Sequence, residues 1–409
     1  MASALFPLIQ SRTLRGGRYA VAPVGALPRV FIANEATMRG SFDDELADAL
    51  RGMSDLMDAE GLHGRLVTLT ASVADPSRLG RCRHVLREAF GEEGPALTLV
   101  AQPPCSGAQV VLEAMAVGEA HGVEAVFERP DDDLVIVRQG GVSWVHAGDP
   151  EARTDDPRVH TRTWDRLARL ETRLGRVGIG FDQVVRTWFY LGDIVGPEAG
   201  IHRYLHLNQA RSEFFTDIRF GDGRLVPSFE GPFYPASTGI GMGGTDLAVS
   251  ALALEGDASR FVLVPLENPN QTPAFAYAAR YSPSSPKFSR ALAVSLGSHA
   301  LILVSGTASI TDSETRWVGD VERQTIQTLD NIAALIGEPN LARHGLPGLG
   351  ATLADLPSVR VYVKYMKDYE TVRAVCESRL GAVPIVYVQA DVCRPDLLVE
   401  IEAVGVSAL

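Results

Sequence analysis

The stretch DLLVEIEAV, Asp396 to Val404, has a counterpart in DLAVSALAL, Asp246 to Leu254, and a looser one in VVLEAMAV, Val110 to Val117. A pattern that returns at long intervals marks a repeated structural unit, and here it decides the fold. Reading backward from each copy gives one order of elements: strand, strand, helix, strand, helix, and the closing strand. The first helix of each unit carries apolar residues at helical spacing. They are Phe42, Leu46, Leu50, Met53 and Met57 in the first copy, and Trp164, Leu167, Leu170, Leu174 and Val177 in the second. In the third they are Val321, Leu329, Ile332 and Ile336, with Thr325 filling the gap. A β-branched and aromatic strand follows at Leu66 to Val73, Val184 to Leu191 and Val359 to Tyr365. Each then meets an aspartate (Asp75, Asp193 or Asp368) before a second helix near Leu79 to Phe90, Ile201 to Phe215 or Tyr369 to Leu380. The closing strands are expected at Val110 to Val117, Leu247 to Leu254 and Leu397 to Val404.

Two stretches break the symmetry. Thr216 to Tyr234 is an insertion in the second copy, and Glu338 to Leu356, rich in Gly and Pro, lies inside the third. Pro265 to Pro286 holds five of the 24 prolines and joins copies two and three. Its Phe275, Tyr277, Arg280 and Tyr281 argue against a plain spacer.

A helix with one apolar stripe needs one sheet to bury it, which gives an α+β layer design. The free faces of three such sheets can cover one another as a pseudo-threefold unit. Beads on a string are the competing arrangement, disfavoured by short linkers. The expected modules are residues 1–128, 129–264 and 265–409.

At 409 residues the chain exceeds one ordinary core, and 46% hydrophobic with 22% charged residues is globular composition. No apolar run approaches the roughly 18 to 20 residues of a membrane span, and Met1 to Leu8 lacks the charged leader of a signal peptide. Cys82, Cys105, Cys376 and Cys393 show no CxxC spacing, which predicts a reducing cytoplasm with neither disulfides nor structural zinc. A net charge of −12 without a basic run argues against nucleic acid. GIGMGG, Gly239 to Gly244, leads into a strand rather than a helix and is no phosphate cradle. No HExxH or paired histidines suggest a metal. No cofactor is expected.

VSGTAS (Val304 to Ser309), QTIQTLDNIAALI (Gln324 to Ile336), LLVEIEAVGV (Leu397 to Val406) and, in copy one, LTLVAQPPCSGAQVVLEAMAV (Leu97 to Val117) resemble the YjgF/Rid imine-deaminase superfamily, whose fold is chorismate-mutase-like. That family forms homotrimers with active sites between subunits, so the resemblance implies a fused pseudo-trimer, complete as a monomer. TWFYLGDIV (Thr187 to Val195), YLHLNQARSEFF (Tyr204 to Phe215), PASTGIG (Pro235 to Gly241), Asn268 to Ala291 and DVCRPDLLVEIEA (Asp391 to Ala403) resemble the chorismatases more closely. These enzymes remove the enolpyruvyl group of chorismate as pyruvate. The imine deaminases carry an arginine on the strand before their catalytic acid. Pro384-Ile385-Val386-Tyr387 has none, which disfavours imine hydrolysis.

The repeat lets the sequence serve as its own control. Glu400 aligns with Ser250 and Val111, so an acid stands at that position once; Glu402 aligns with Leu252 and Glu113. Both glutamates share one strand face. A solvated face is the plain reading for such a pair and is kept for Glu402, whereas Glu400 matches the family's catalytic acid. Arginine forks bind carboxylates bidentately; Arg211 on the NQAR helix matches the family pattern, and it and Arg224 on the following insertion are expected as carboxylate clamps, with Arg219 on that insertion beside them. The resemblance also implies Tyr277 in the active site. Ser237, Thr238 and Gly239 are expected to line the pocket. Gly306 and Cys393 match residues of the 3-hydroxybenzoate-forming subtype; the hydrolytic subtype tends to carry Ala at both.

The expected function is therefore removal of the enolpyruvyl group of chorismate, giving 3-hydroxybenzoate and pyruvate with Glu400 as general acid. Hydrolysis to a dihydroxycyclohexadiene carboxylate is the second reading, and a non-catalytic small-molecule binding module the third. The first module is expected to be structural.

Overall fold

The computed structural model describes residues 8–150, 154–277 and 284–409. Arg280, Tyr281 and nearly all of the N-terminal stretch Met1 to Leu8 lie outside the described residues.

The chain forms a mixed α+β structure with three six-stranded sheets. The first comprises β1 (Gln10–Leu14), β2 (Gly17–Val24), β3 (Leu27–Glu35), β4 (Leu66–Val73), β5 (Ala96–Val100) and β6 (Val110–Val117). The second comprises β7 (Val126–Asp131), β8 (Leu134–Gln139), β9 (Val142–Ala147), β10 (Val184–Gly192), β11 (Ala236–Met242) and β12 (Leu247–Gly256). The third comprises β13 (Val262–Leu266), β14 (Ala291–Ser295), β15 (His299–Ala308), β16 (Ser358–Val363), β17 (Ile385–Gln389) and β18 (Val399–Ala408). Strand order is the same each time: β1-β2-β3-β6-β4-β5, then β7-β8-β9-β12-β10-β11, then β13-β14-β15-β18-β16-β17. In each sheet only the last pair is parallel (β4–β5, β10–β11, β16–β17), as a helical crossover requires.

The helices are α1 (Phe42–Glu60), α2 (Leu79–Phe90), α3 (Val159–Gly175), α4 (Arg203–Phe214), α5 (Val321–Ile336), α6 (Glu338–Arg343) and α7 (Tyr369–Leu380). Local signals set their ends. Ser41 and Asp44 form a capping box on α1, and Gly61 closes it in the left-handed region at φ 63. The Asp320 side chain caps α5 by accepting from the Arg323 N–H. Leu46, Met53, Leu56, Leu167, Leu170, Leu329 and Ile332 are fully buried beneath these helices.

Several expectations need correction. Each unit has a third strand before its first helix and an extra strand (β5, β11 or β17) between its second helix and the closing strand. Of the extra strands, β5 (ALTLV) is buried along its whole length and shows no alternation to read, and β11 (ASTGIGM) is rich in small and polar residues. Trp164 is 42% exposed rather than core, lying edge-on to Phe214 at 5.3 Å. The Gly- and Pro-rich stretch contains α6, with proline in its first turn where the missing N–H costs nothing.

The three sheets meet through polar as well as apolar contacts. Arg360 on β16 donates to Glu113 on β6 at 2.8 Å, to the Tyr190 hydroxyl on β10 at 2.6 Å and to Glu402 on β18 at 2.9 Å. Val100, Val111, Tyr190, Ile240, Ala308, Tyr362 and Val388 pack as one buried cluster drawn from all three sheets.

Candidate active site

Strand alternation brings Glu400 to a pocket. On β18, Val399 and Ile401 point into the apolar core of the third sheet, while Glu400 and Glu402 share the opposite face. The register supports the alignment of the copies: Glu402 pairs with Arg360, Leu252 with Arg186 and Glu113 with Thr70.

Glu400 is 4% exposed and lines a cavity of about 90 Å³ between the second and third sheets. No cation stands within ion-pair distance of it among the described residues. Burial, reinforced by the charge of Glu402, pushes its carboxyl up to about 8; Arg290 and Arg186 pull the other way. It is thus a protonated acid at neutral pH, held in a small, largely apolar space.

Helix α4 supplies Tyr204, Asn208 and Arg211 to the wall, and β11 supplies Ser237 and Gly239. Tyr277, Phe288 and Arg290 come from the segment leading into β14, Gly306 from β15, and Cys393 and Arg394 from the loop before β18. Arg211 is 1% exposed. It donates to Asn208 Oδ1 at 2.7 Å and Ser237 Oγ at 3.4 Å, and its Nε has no partner among the described residues. Arg290 is 3% exposed; it donates to the Thr272 carbonyl at 3.1 Å and to the Tyr277 hydroxyl, again leaving Nε unpaired. Glu267 accepts from the Arg290 backbone N–H at 3.3 Å, not from its guanidinium. Neither guanidinium has an ion-pair partner among the described residues. The Phe288 ring lies between them, 5.8 Å from Arg211 and 5.5 Å from Arg290. Two buried cations beside a neutral acid form a cradle for a dianion.

The other expected residues separate. Thr238 faces away from the pocket: its hydroxyl accepts from Arg186 at 2.7 Å and from the Gly306 N–H at 3.0 Å, and donates to Glu402. It backs the site rather than lining it. Arg224 does not reach the cavity; its Nε donates to the Gly256 carbonyl at 3.0 Å. Arg219 is exposed on the insertion. That insertion packs Phe220 and Phe233 into an aromatic cluster with Phe181 and Phe215. Gly306 leaves room for the acid: a β-carbon there would overlap Glu400 Oε1, so a larger residue would push the carboxyl aside. Burial first, and Glu400 second, push the Cys393 thiol up to about 12, so it stays neutral.

The comparisons with known proteins fit this geometry. A family model described as Endoribonuclease L-PSP matches residues 282–407. A protein of Streptomyces hygroscopicus named 3-hydroxybenzoate synthase is 37% identical over 231 residues, covering 55% of this chain and 64% of that protein. A Streptomyces rapamycinicus protein named chorismatase is 38% identical over 231 residues, 55% of this chain and 65% of that one. A crystal structure of a chorismatase superposes with a TM-score of 0.66 at 25% identity, over 94% of this chain and 99% of that one. The chain is similar to chorismatases in sequence and in fold. The match to the Endoribonuclease L-PSP model lies at the chain's C-terminal end. Its sequence alignments span just under two thirds of the curated chorismatase relatives, 64% to 66% of their length.

Sequence reasoning missed two features of this site. Arg290, Arg394, Asn208 and Tyr204 all lie within the strings that carried the resemblance, yet no charge pattern separated Arg290 from the surface arginines around it. Glu402 is not on a solvated face. It is 6% exposed and accepts from Arg186 at 2.7 Å, Trp188 at 3.3 Å, Arg360 at 2.9 Å and Tyr362 at 3.1 Å. Its partners come from distant strands, so adjacent sequence offered no sign of them. The buried arginine that aligns with it on β16, Arg360, was the available signal.

Proposed function

We propose that the protein removes the enolpyruvyl group of chorismate and releases 3-hydroxybenzoate and pyruvate. The observation that carries this reading is a buried carboxyl raised to about 8, set beside two buried arginines that have no ion-pair partner among the described residues. Chorismate has two carboxylates for those cations and a vinyl ether for the acid. Arg211 and Arg290 hold the carboxylates, and Tyr277 fixes Arg290. Glu400 delivers its proton to the methylene carbon, producing an oxocarbenium-like centre that turns a poor leaving ether into a good one. The Glu400 carboxylate left behind stabilises that cation. A neighbouring ring hydroxyl then displaces the ether oxygen internally, pyruvate leaves, and the ring aromatises by losing a proton. The two products together have the atoms of chorismate, so no water is consumed. Gly306 and Cys393 support this course over hydrolysis: Gly306 lets the Glu400 carboxyl fill the space beside β15, and the neutral thiol adds no water-ordering charge.

The same reading extends to architecture. Three sheets of one strand order support a pseudo-trimer in a single chain; we read it as a cytoplasmic monomer. The modules are read as 1–128, 129–264 and 265–409; β7, the first strand of the second sheet, begins at Val126, and β13, the first of the third, at Val262. The first module is structural, the second brings Arg211 and the third Glu400.

Purified protein incubated with chorismate tests the activity. Release of pyruvate together with an aromatic acid, identified by mass and ultraviolet spectrum, is expected. Pyruvate with a non-aromatic diene would assign the hydrolytic course, and no pyruvate would overturn the reading.

A further inference from the structure

The inner faces of the three sheets enclose a second cavity of about 120 Å³, apart from the Glu400 pocket. Its charged residues do not balance. Arg360 is met by Glu113 and Glu402, and Arg186 by Glu402. Arg29 is 2% exposed, and its hydrogen bond is a 3.5 Å contact to the Leu27 carbonyl. No carboxylate stands within ion-pair distance of it among the described residues. Three arginines against two carboxylates leave one positive charge in excess. Two further groups are unsatisfied: Nη1 of Arg186 and Nε2 of His146, each on a side chain 2% exposed. Burial, and then Arg29, hold the His146 ring at about 3, so it is neutral and adds no charge. Trp144 lies 5.1 Å from the Arg29 guanidinium and Trp188 4.8 Å from that of Arg186, giving flat walls behind both cations.

Uncompensated buried cations are costly, and unpaired buried donors add to that cost. A monoanion with a planar apolar body answers both. The space is comparable to the engineered cavities of about 150 Å³ that hold one benzene ring. We propose that this cavity binds a small monocarboxylate, one aromatic ring or less in size, through Arg29, Arg186 and His146. The site does not depend on the chemistry assigned to Glu400.

Benzoate is the probe, titrated into the full-length protein and into its Arg211→Met variant, in which the Glu400 pocket has lost a cation. Calorimetry gives stoichiometry, and tryptophan fluorescence reports location. Of the four tryptophans, Trp164 and Trp317 are 42% and 46% exposed and can be quenched by iodide, leaving the signal of the two cavity rings. Saturable binding that alters the iodide-resistant fluorescence, persists in Arg211→Met and weakens about tenfold or more in Arg29→Met is expected. His146→Phe, which removes the ring nitrogens without touching a buried charge, is expected to weaken binding several-fold and serves if Arg29→Met does not fold. Absence of saturable binding would overturn the proposal. So would binding abolished by Arg211→Met but indifferent to the Arg29 and His146 changes.

Discussion

Gly306 and Glu400 face each other so closely that a β-carbon on Gly306 would overlap Glu400 Oε1. The backbone of Gly306 cannot retreat, because its N–H is held by Thr238 Oγ1 at 3.0 Å, and Thr238 is held by Glu402 and Arg186. The Gly306→Ala variant must therefore displace the acid rather than the strand. A proton donor moved by about 1 Å loses on the order of 10²-fold in rate. Steady-state turnover of chorismate should fall by that order while the circular dichroism spectrum stays unchanged. The product mixture should also gain the diene.

Glu400→Gln keeps the shape and removes the acidic proton. The loss expected is about 10²- to 10⁴-fold in kcat. Near-normal turnover in this variant would show that Glu400 is not the proton donor.

The raised Glu400 carboxyl sets a pH limit. Activity requires its protonated form, so kcat/KM should fall as pH rises through about 8. The same shift acts on stability. The folded state holds this proton up to about pH 8, whereas the unfolded chain releases it near 4.5. Glu400 therefore favours folding least at high pH: its contribution declines by up to about 1.4 kcal/mol per pH unit across that window. Melting temperatures of the unaltered protein and Glu400→Gln, compared from pH 5 to 9, should diverge in favour of the variant. Parallel curves would contradict the shift.

Arg290→Met and Arg224→Met separate the two candidate clamps. The first removes a buried cation from the pocket wall and should raise KM for chorismate about tenfold or more. The second breaks a bond to the Gly256 carbonyl outside the cavity and should leave KM within a factor of about two.

Glu402→Leu strands Arg186 as a buried charge and leaves Arg360 with Glu113 alone. Loss of about 3–5 kcal/mol in denaturant-unfolding free energy is expected. A loss below about 1 kcal/mol would mean that water reaches those guanidiniums.

Much of the fold was legible because it is written three times. Helices α2 and α7 and strands β4 and β6 fall where the periodicity placed them, since each buries a clear stripe or face. The additional strands were not legible: β5 and β17 are short, and β5 is buried on both faces, so their composition alone does not distinguish them from loop or helix. In the site, Glu400 stood out because Ser250 and Val111 occupy its place in the other copies. Arginines were harder, since Arg211, Arg219, Arg224 and Arg290 carry the same charge and only tertiary burial separates them. The partners of Glu402 lie on β10, β11 and β16, a relationship no local window contains.

The run from Glu113 through Arg360 and Glu402 to Arg186 passes from the first sheet to the third and on to the second. Peeling any one sheet away would leave an unmatched ion in a poorly polarisable interior. The three sheets should therefore melt together in a single transition, and a backbone cut between sheets should leave the fragments associated until the whole assembly comes apart.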